Sequence, residues 1–224
     1  WHTAFDALVP GDFGAPAGGT DFGDCVHMAA RVLVEGLFGY RPDYPNGVVV
    51  VAPQFPAEWK RARVRTPDVA LRFARRGGLI ELEVELTRAA RVEVRLAVSA
   101  RAVEEVTVNG RAAKWRAEPG FGRTVVCVEA GRTKCVRVVM CVRGARATFP
   151  AEERKVNAGE RVTLSVVGAR VLAFEDAQGV LDGAELREGK IVARARGNVG
   201  VHAVAARVLS GELPQWRRWV VRVA

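Results

Sequence analysis

A strict two-residue alternation of apolar and polar side chains begins near Val48 and constrains this sequence more than any other feature. Residues 79–86 (LIELEVEL) and residues 91–98 (RVEVRLAV) each place four apolar side chains on one face and charged side chains on the other. Successive side chains of a β-strand point to opposite faces, so each segment predicts a strand with one buried face. We expect the two to pair as a hairpin, with glutamates beside arginines on its solvated face. The predicted inward residues are Ile80, Leu82, Val84, Leu86, Val92, Val94, Leu96 and Val98.

Further alternating segments follow without an intervening helix. Asn109-Gly110 predicts a tight two-residue hairpin turn, because both residues tolerate positive φ. Residues 123–144 predict another strand–turn–strand unit around the turn AGRT, with Val136, Val138, Met140 and Val142 facing inward. Eight or so strands between residues 48 and 146 predict an antiparallel β-sandwich that resembles a jelly roll.

A second β-unit is predicted after residue 148. Pro150, a charged run and the turn residues 157–159 precede a new alternating strand, and short strands follow at 170–174, 190–194, 199–208 and 216–223. Six or seven short strands in a segment of this length predict a small immunoglobulin-like sandwich. The chain is therefore expected to be mainly β, with three parts at residues 1–44, 45–147 and 148–224.

One helix is predicted, over residues 25–38. Asp21 or Asp24 is suited to cap its first turn, and Gly39 and Pro42 are suited to end it. Its apolar stripe consists of Cys25, Met28, Ala29, Val32, Leu33 and Leu37. We expect tertiary packing to hold this helix, because a 14-residue helix is marginal alone. In this chain the stripe is expected to be covered by the first sandwich or to remain exposed, and in a longer parent polypeptide to be covered by an upstream part.

Composition excludes several classes of partner. No apolar run approaches the roughly 20 residues of a membrane helix, so no membrane partner is expected. The net charge of +9 comes from 34 basic residues, of which five are lysines, and the arginines lie in every segment rather than in one patch. This even distribution argues against a nucleic-acid partner.

The four cysteines, Cys25, Cys127, Cys135 and Cys141, show no spacing typical of a metal site, and we expect neither metal nor cofactor. Cys127 and Cys135 flank the predicted AGRT turn. We expect them to face each other across two strands and to remain reduced, since disulfides between adjacent strands are strained.

The residues with the most chemistry lie before the helix. Trp1, Asp21, Asp24 and His27 belong to a stretch rich in aromatic, carboxylate and imidazole side chains, and such a stretch suits the rim of a sugar pocket. A loop held together by its own aspartates and aromatic side chains explains the same composition. The glutamates of residues 79–86 and His202 are best explained as ordinary strand residues, and no catalytic residue is assigned.

The transition out of the helix resembles a known family. The sequence Leu-Phe-Gly-Tyr-Arg-Pro at 37–42, followed by an extended strand ending in Ala52-Pro53, is similar to the exit from the barrel of six-hairpin (α/α)6 glycoside hydrolases of the α-L-rhamnosidase-like group. Residues 59–86 and the segment VEEVTVNGR resemble that family's C-terminal sandwich, and the likeness covers roughly residues 20–142. It implies that Tyr40 and Tyr44 fill the joint between barrel and sandwich. It also implies that the catalytic carboxylates lie upstream.

The resemblance leads to one functional expectation and leaves one rival. We expect the non-catalytic C-terminal region of a carbohydrate-active hydrolase, inactive alone, whose partners are the upstream barrel of the same polypeptide and, through it, a carbohydrate. The start at Trp1, with Met28 and Met140 as the only methionines, fits a missing upstream part. The rival is a stand-alone glycan- or protein-binding module. Trp216 and Trp219 are expected on opposite strand faces, where they cannot form one stacking platform.

Overall fold

The computed structural model describes residues 28–144 and 153–224, and it is mainly β, as the alternation predicts. One α-helical turn at 28–31 leads into a short π-helix, Val32–Leu37. The next nine strands are β1 (Tyr40–Asp43), β2 (Val48–Val51), β3 (Arg61–Arg65), β4 (Val69–Arg76), β5 (Leu79–Val98), β6 (Ala102–Val108), β7 (Arg111–Ala112), β8 (Trp115–Gly120) and β9 (Arg123–Arg143). The last seven are β10 (Glu153–Val156), β11 (Arg161–Leu164), β12 (Arg170–Glu175), β13 (Leu181–Arg187), β14 (Lys190–Ala195), β15 (Gly200–Ser210) and β16 (Leu213–Val223).

Two long strands, β5 of 20 residues and β9 of 21, organise the first unit. They pair antiparallel along nearly their whole length, from Leu79 opposite Cys141 to Val98 opposite Thr124. The two predicted hairpins are therefore wrong. Residues 79–86 and 91–98 are halves of one strand, and residues 123–143 form another, because each half finds its partner in the other long strand.

Both long strands bend where their pairing is interrupted, between Glu85 and Ala90 and next to Arg91. A straight strand of this length would span about 65 Å, twice the width of a domain of roughly 100 residues. After the bend β5 exchanges neighbours: its first half pairs with β4, and its second half pairs in parallel with β2. The strands thereby enter two layers, β3-β4-β5-β9-β6-β7 and β1-β2-β5-β9-β8.

The core of this first sandwich lies between its two layers. All eight predicted inward residues of β5 are at most 3% exposed, and Val136, Val138 and Met140 of β9 are equally buried. The apolar face stays inward on both sides of the bend because Leu86 and Val92 are an even number of residues apart. The Asn109-Gly110 turn is also confirmed, with φ of 50° and 77° between β6 and β7.

The outer face of β5 carries ion pairs that differ from the expected ones. Glu81 accepts a hydrogen bond of 2.6 Å from Arg137 Nε of β9, and Arg95 pairs at 3.0 Å with Glu93 of its own strand. Because β5 is one strand, the glutamates of its first half face β9 rather than the arginines of its second half. The prediction that these carboxylates line a solvated strand face is confirmed, because the side chains of Glu81 and Glu83 are 27% and 43% exposed. Ion pairs this exposed contribute little to stability.

The second unit is a sandwich of seven strands with its own core. One sheet has the order β10-β16-β15-β12 and the other the order β11-β14-β13. Counted within this unit, β11, β13 and β14 are its second, fourth and fifth strands and share one sheet, whereas β12, β15 and β16 are its third, sixth and seventh and share the other. Immunoglobulin domains divide their strands in the same way. The first strand, β10, pairs in parallel with the last, β16. The predicted boundary near residue 148 falls outside the described residues.

The two tryptophans of β16 lie on opposite faces of the strand, as predicted. Trp219 is 3% exposed in the core of the second unit, and Trp216 lies on the other face because side chains alternate along the strand.

The β15–β16 turn joins the two units. Leu213 is 1% exposed and belongs to the core of the first sandwich, although its strand belongs to the second. Thr124 Oγ1 donates to the carbonyl of Pro214 at 2.7 Å, and Glu212 N donates to the carbonyl of Arg101 at 2.8 Å. At Gly211 a Cβ atom would lie 2.4 Å from that Arg101 oxygen, so only glycine permits the approach.

We predict that Leu213→Ala lowers the free energy of unfolding by about 2–5 kcal/mol, because it removes a fully buried side chain from the first core. Leu186→Ala is the matched control, since Leu186 is 42% exposed on the second unit and its truncation should cost no more than about 0.5 kcal/mol. Urea unfolding followed by circular dichroism measures both. Equal losses in the two variants would contradict the insertion of Leu213.

The cysteines of β9 do not face each other. Cys127 lies opposite Arg95 and Cys135 lies opposite Glu85, eight residues along one strand, so the predicted cross-strand pair is wrong. Cys127, Cys135 and Cys141 are all free thiols, as expected. Burial raises the pKa of Cys127 to about 11, with Glu118 adding to the shift and Arg116 opposing it.

We therefore predict that in the folded chain iodoacetamide modifies Cys135 faster than Cys127, and that Cys127 reacts only after unfolding. Cys135 is exposed, whereas Cys127 is 1% exposed and holds almost no thiolate near pH 8. Timed alkylation followed by peptide mass mapping gives both rates, and a Cys135→Ser variant checks the assignment. Comparable rates at the two positions would show that the strand containing Cys127 is not buried as described.

Candidate functional site

The four residues predicted to line a sugar pocket, Trp1, Asp21, Asp24 and His27, lie outside the described residues, and their role stays a prediction. The described residues hold a different candidate, at the end of the first sandwich opposite the bends of β5 and β9. Because each long strand bends once, both of its ends lie at this end of the molecule. We call it the open end, and it comprises residues 52–57, 75–80, 97–101, 120–123 and 142–144.

The helical segment enters the sandwich at the open end. Gly39 ends it with φ of +70°. A Cβ at this position would lie 2.1 Å from the carbonyl of Ala52, so only glycine fits. The prediction that the helix ends at Gly39 is therefore confirmed. Hydrogen bonds of 2.9 Å from Ala52 N to the Gly39 carbonyl and from Gln54 N to the Leu37 carbonyl attach the segment. Pro42 lies within β1, a strand that the sequence did not predict, opposite Val49.

The predicted apolar stripe of the helix is divided between two faces. Leu37 and Val34 pack against the first core, whereas Met28, Val32 and Leu33 are 57%, 65% and 47% exposed. Within this segment Phe38 N donates to the carbonyl of Leu33, five residues back, which is the π-helical hydrogen bond. The first sandwich covers only one side of the segment, so the remaining apolar side chains stay exposed. We call Met28, Val32 and Leu33 the bare helix face.

Truncating two leucines of this segment should distinguish its two faces. We predict that Leu37→Ala lowers the free energy of unfolding by about 1–2 kcal/mol, because half of a leucine's apolar surface is lost from the core contact. Leu33→Ala should change it by no more than about 0.5 kcal/mol, because the side chain is already in water. Chemical unfolding of both variants under one condition gives the comparison. A larger loss for Leu33→Ala would show that the bare helix face is covered.

An aromatic cluster closes part of the open end. The ring of Phe55 lies 5.2 Å from Phe38, 4.9 Å from Phe73 and 5.8 Å from Trp59, on which it stacks. Trp59 remains 40% exposed. Tyr40, expected in a joint with a barrel, is 5% exposed in the first core, and its hydroxyl lies 3.2 Å from that of Tyr44. Burial, and then the contact with Tyr44, raises the pKa of Tyr40.

A cleft of about 680 Å³ occupies the rest of the open end. Two arginines line it: Arg75 at the end of β4 and Arg123 at the start of β9. Phe121 stands at its rim and is 68% exposed, with its ring 6.4 Å from that of Trp216. Among the described residues no aspartate or glutamate lines the cleft.

The arginines of the cleft were missed at the sequence level, because arginine occurs throughout the chain and gives no local signal. The Gly-Phe-Gly-Arg segment at 120–123 offered a weak one, since a large aromatic residue between glycines in a turn has little to pack on. Arg75 and Arg123 come to line one cleft only because the bends bring the ends of β4, β5 and β9 together at the open end.

Among the described carboxylates, the pKa values of Glu93 and Glu153 are shifted, and both are lowered by arginines. Burial acts to raise the pKa of Glu93, but hydrogen bonds from Arg95 and Arg116 outweigh it and hold that pKa below its usual range. A general acid needs the opposite shift. Within the described ranges no three His, Cys, Asp or Glu side chains group as metal ligands, and no helix is long and apolar enough to cross a membrane.

Comparisons with known proteins leave the function to be argued from the site itself. A scan against protein-family models finds no match, and a search of curated proteins finds none either. The described residues offer three surface features that can indicate a function: the bare helix face, the aromatic cluster and the cleft.

Proposed function

We propose that this chain is the non-catalytic C-terminal region of a carbohydrate-active glycoside hydrolase, and that it packs against and stabilises an upstream (α/α)6 catalytic barrel of the same polypeptide. The observation that supports this most directly is the bare helix face. A helical segment whose one side is docked into the first sandwich presents Met28, Val32 and Leu33 on the other side.

The position of that face supports an upstream body as its occupant. It lies on the N-terminal side of the first described strand, where an upstream body would join the sandwich, and its segment is the one that resembles the last helix of the barrel. Covering three half-exposed apolar side chains would contribute on the order of 1 kcal/mol each. The barrel would supply the paired carboxylates of glycoside hydrolysis, one of which protonates the leaving oxygen.

We predict that the isolated chain does not hydrolyse glycosides, because described carboxylates such as Glu81, Glu93 and Glu118 are paired with arginines on strand faces. Purified chain is assayed against a panel of aryl glycosides, with the product of the complete reading frame as the positive control. Turnover by the isolated chain that is abolished by Asp24→Asn or His27→Ala would overturn the proposal and make residues 1–27 an active site.

The packing role has its own test. In the product of the complete reading frame, Leu33→Asp should lower the unfolding temperature and shorten the half-life of the glycosidase activity, because a charge enters the barrel contact. In the isolated chain the same change should leave the unfolding temperature unchanged and reduce binding of a hydrophobic dye. Leu186→Asp is the exposed control in both. A reading frame that encodes no barrel, or a full-length protein indifferent to Leu33→Asp, would refute the proposal.

A stand-alone binding module is the second candidate, and the exposed aromatic side chains favour it. Trp59, Trp115 and Phe121 are 40%, 39% and 68% exposed, and exposed aromatic rings can stack on sugars or on partner proteins. Trp216 and Trp219 do not contribute a shared platform, since only Trp216 lies outside the core of the second sandwich. A reading frame without a barrel, together with glycan binding by the isolated chain, would favour this candidate.

A further inference from the structure

The cleft at the open end has an unbalanced positive charge. Arg75 and Arg123 line it, no described carboxylate does, and neither arginine forms an ion pair with a described residue. The charge of Glu58 acts on Arg75 without forming an ion pair. By contrast, the groove on the outer face of β3 and β4 is lined by three arginines together with Glu83 and Glu85, so its charge is largely balanced.

Both guanidinium groups are held in place by neutral acceptors. Arg75 Nη1 donates to the carbonyl of Ala57 at 2.9 Å, and its guanidinium lies 5.3 Å from the centre of the Phe73 ring. Its Nε is buried and has no hydrogen-bond partner. Arg123 Nη2 donates to Gln54 Oε1 at 2.6 Å. Each arginine has five N–H donors, and these hydrogen bonds use one donor of each already oriented guanidinium group.

We propose that this cleft binds the carboxylate of an acidic saccharide, with Arg75 and Arg123 as the anion-binding residues and Phe121 as the stacking residue. The planar guanidinium group matches a carboxylate in a two-pronged hydrogen bond. A cleft of about 680 Å³ lies within the range of small-ligand sites, roughly 300–1,000 Å³.

The two halves of this assignment have different foundations. The anion follows from the charges of the cleft alone. The saccharide rests on the proposed function and on the exposed ring of Phe121, which the hydrogen bond from Gly122 N to the Trp216 carbonyl holds at the rim. Polar groups of Gln54 and Ser99 also line the cleft and are suited to sugar hydroxyls.

Isothermal titration of the purified chain with trigalacturonic acid, its fully methyl-esterified form and glutarate tests both halves. We expect the acid to bind and the ester, which has the same sugar rings without the charge, to bind at least tenfold more weakly. Glutarate supplies carboxylates without a sugar ring and should also bind at least tenfold more weakly. Equal binding of glutarate and trigalacturonic acid would overturn the saccharide while leaving the anion site. Since this measurement does not involve the barrel, the proposed function fails or stands separately.

Variants assign the binding to the two arginines. Arg123→Gln, at the rim of the cleft, should weaken trigalacturonic acid binding at least tenfold, and Arg75→Gln should do the same. Arg75→Lys, which keeps the positive charge, should retain part of the affinity and guards against misfolding of Arg75→Gln. Arg63→Gln changes an exposed arginine of the outer groove and should leave the affinity unchanged. Unchanged affinity in a folded Arg123→Gln variant, or no binding of any ligand up to about 10 mM, would overturn the proposal.

Discussion

The pairing of β5 with β9 is the interaction on which the rest of the first unit depends. Each strand supplies one half to each layer, so a single ladder from Leu79 to Val98 connects the two sheets through their bends. The two-residue period keeps the apolar side chains inward on both sides of the interruption, because the interruption preserves their phase. The same bends bring all four ends of the two strands together and so create the open end.

The helical segment, the β15–β16 hairpin and the cleft all lie at the open end, and glycines permit the close contacts of the first two. The helical segment turns at Gly39 directly against the carbonyl of Ala52, and the β15–β16 hairpin turns at Gly211 directly against that of Arg101. Leu213 then enters the first core beside these contacts. The second sandwich and the helical segment are thus attached to the end that also holds the cleft. An upstream body on the bare helix face would lie near the same ligand site.

The charges of the molecule divide into two kinds. Some arginines on strand faces are paired with neighbouring carboxylates, as Arg137 is with Glu81 and Arg116 with Glu93 and Glu118. Such pairs keep long strands soluble and contribute little to stability. Arg75 and Arg123 are different, because their hydrogen-bond partners are neutral and their cleft has no described carboxylate. Excess charge in a concave site is more informative about a ligand than the overall charge of +9.

The sequence by itself determined the β class, the inward residues of β5, the inward residues Val136, Val138 and Met140 of β9, the Asn109-Gly110 turn, the glycine stop at Gly39 and most strands of the second sandwich. These follow from local rules, the period of side-chain alternation and the conformational freedom of glycine. Only the tertiary structure decided that residues 79–98 and 123–143 are single bent strands, since alternation does not distinguish a hairpin from a strand that bends in phase. It also decided that Leu33 faces outward, because which side of the helical segment is buried depends on how the segment docks on the first sandwich. The cleft too was decided by the tertiary structure, because residues from β4, β5 and β9 become neighbours only when the long strands have bent and paired.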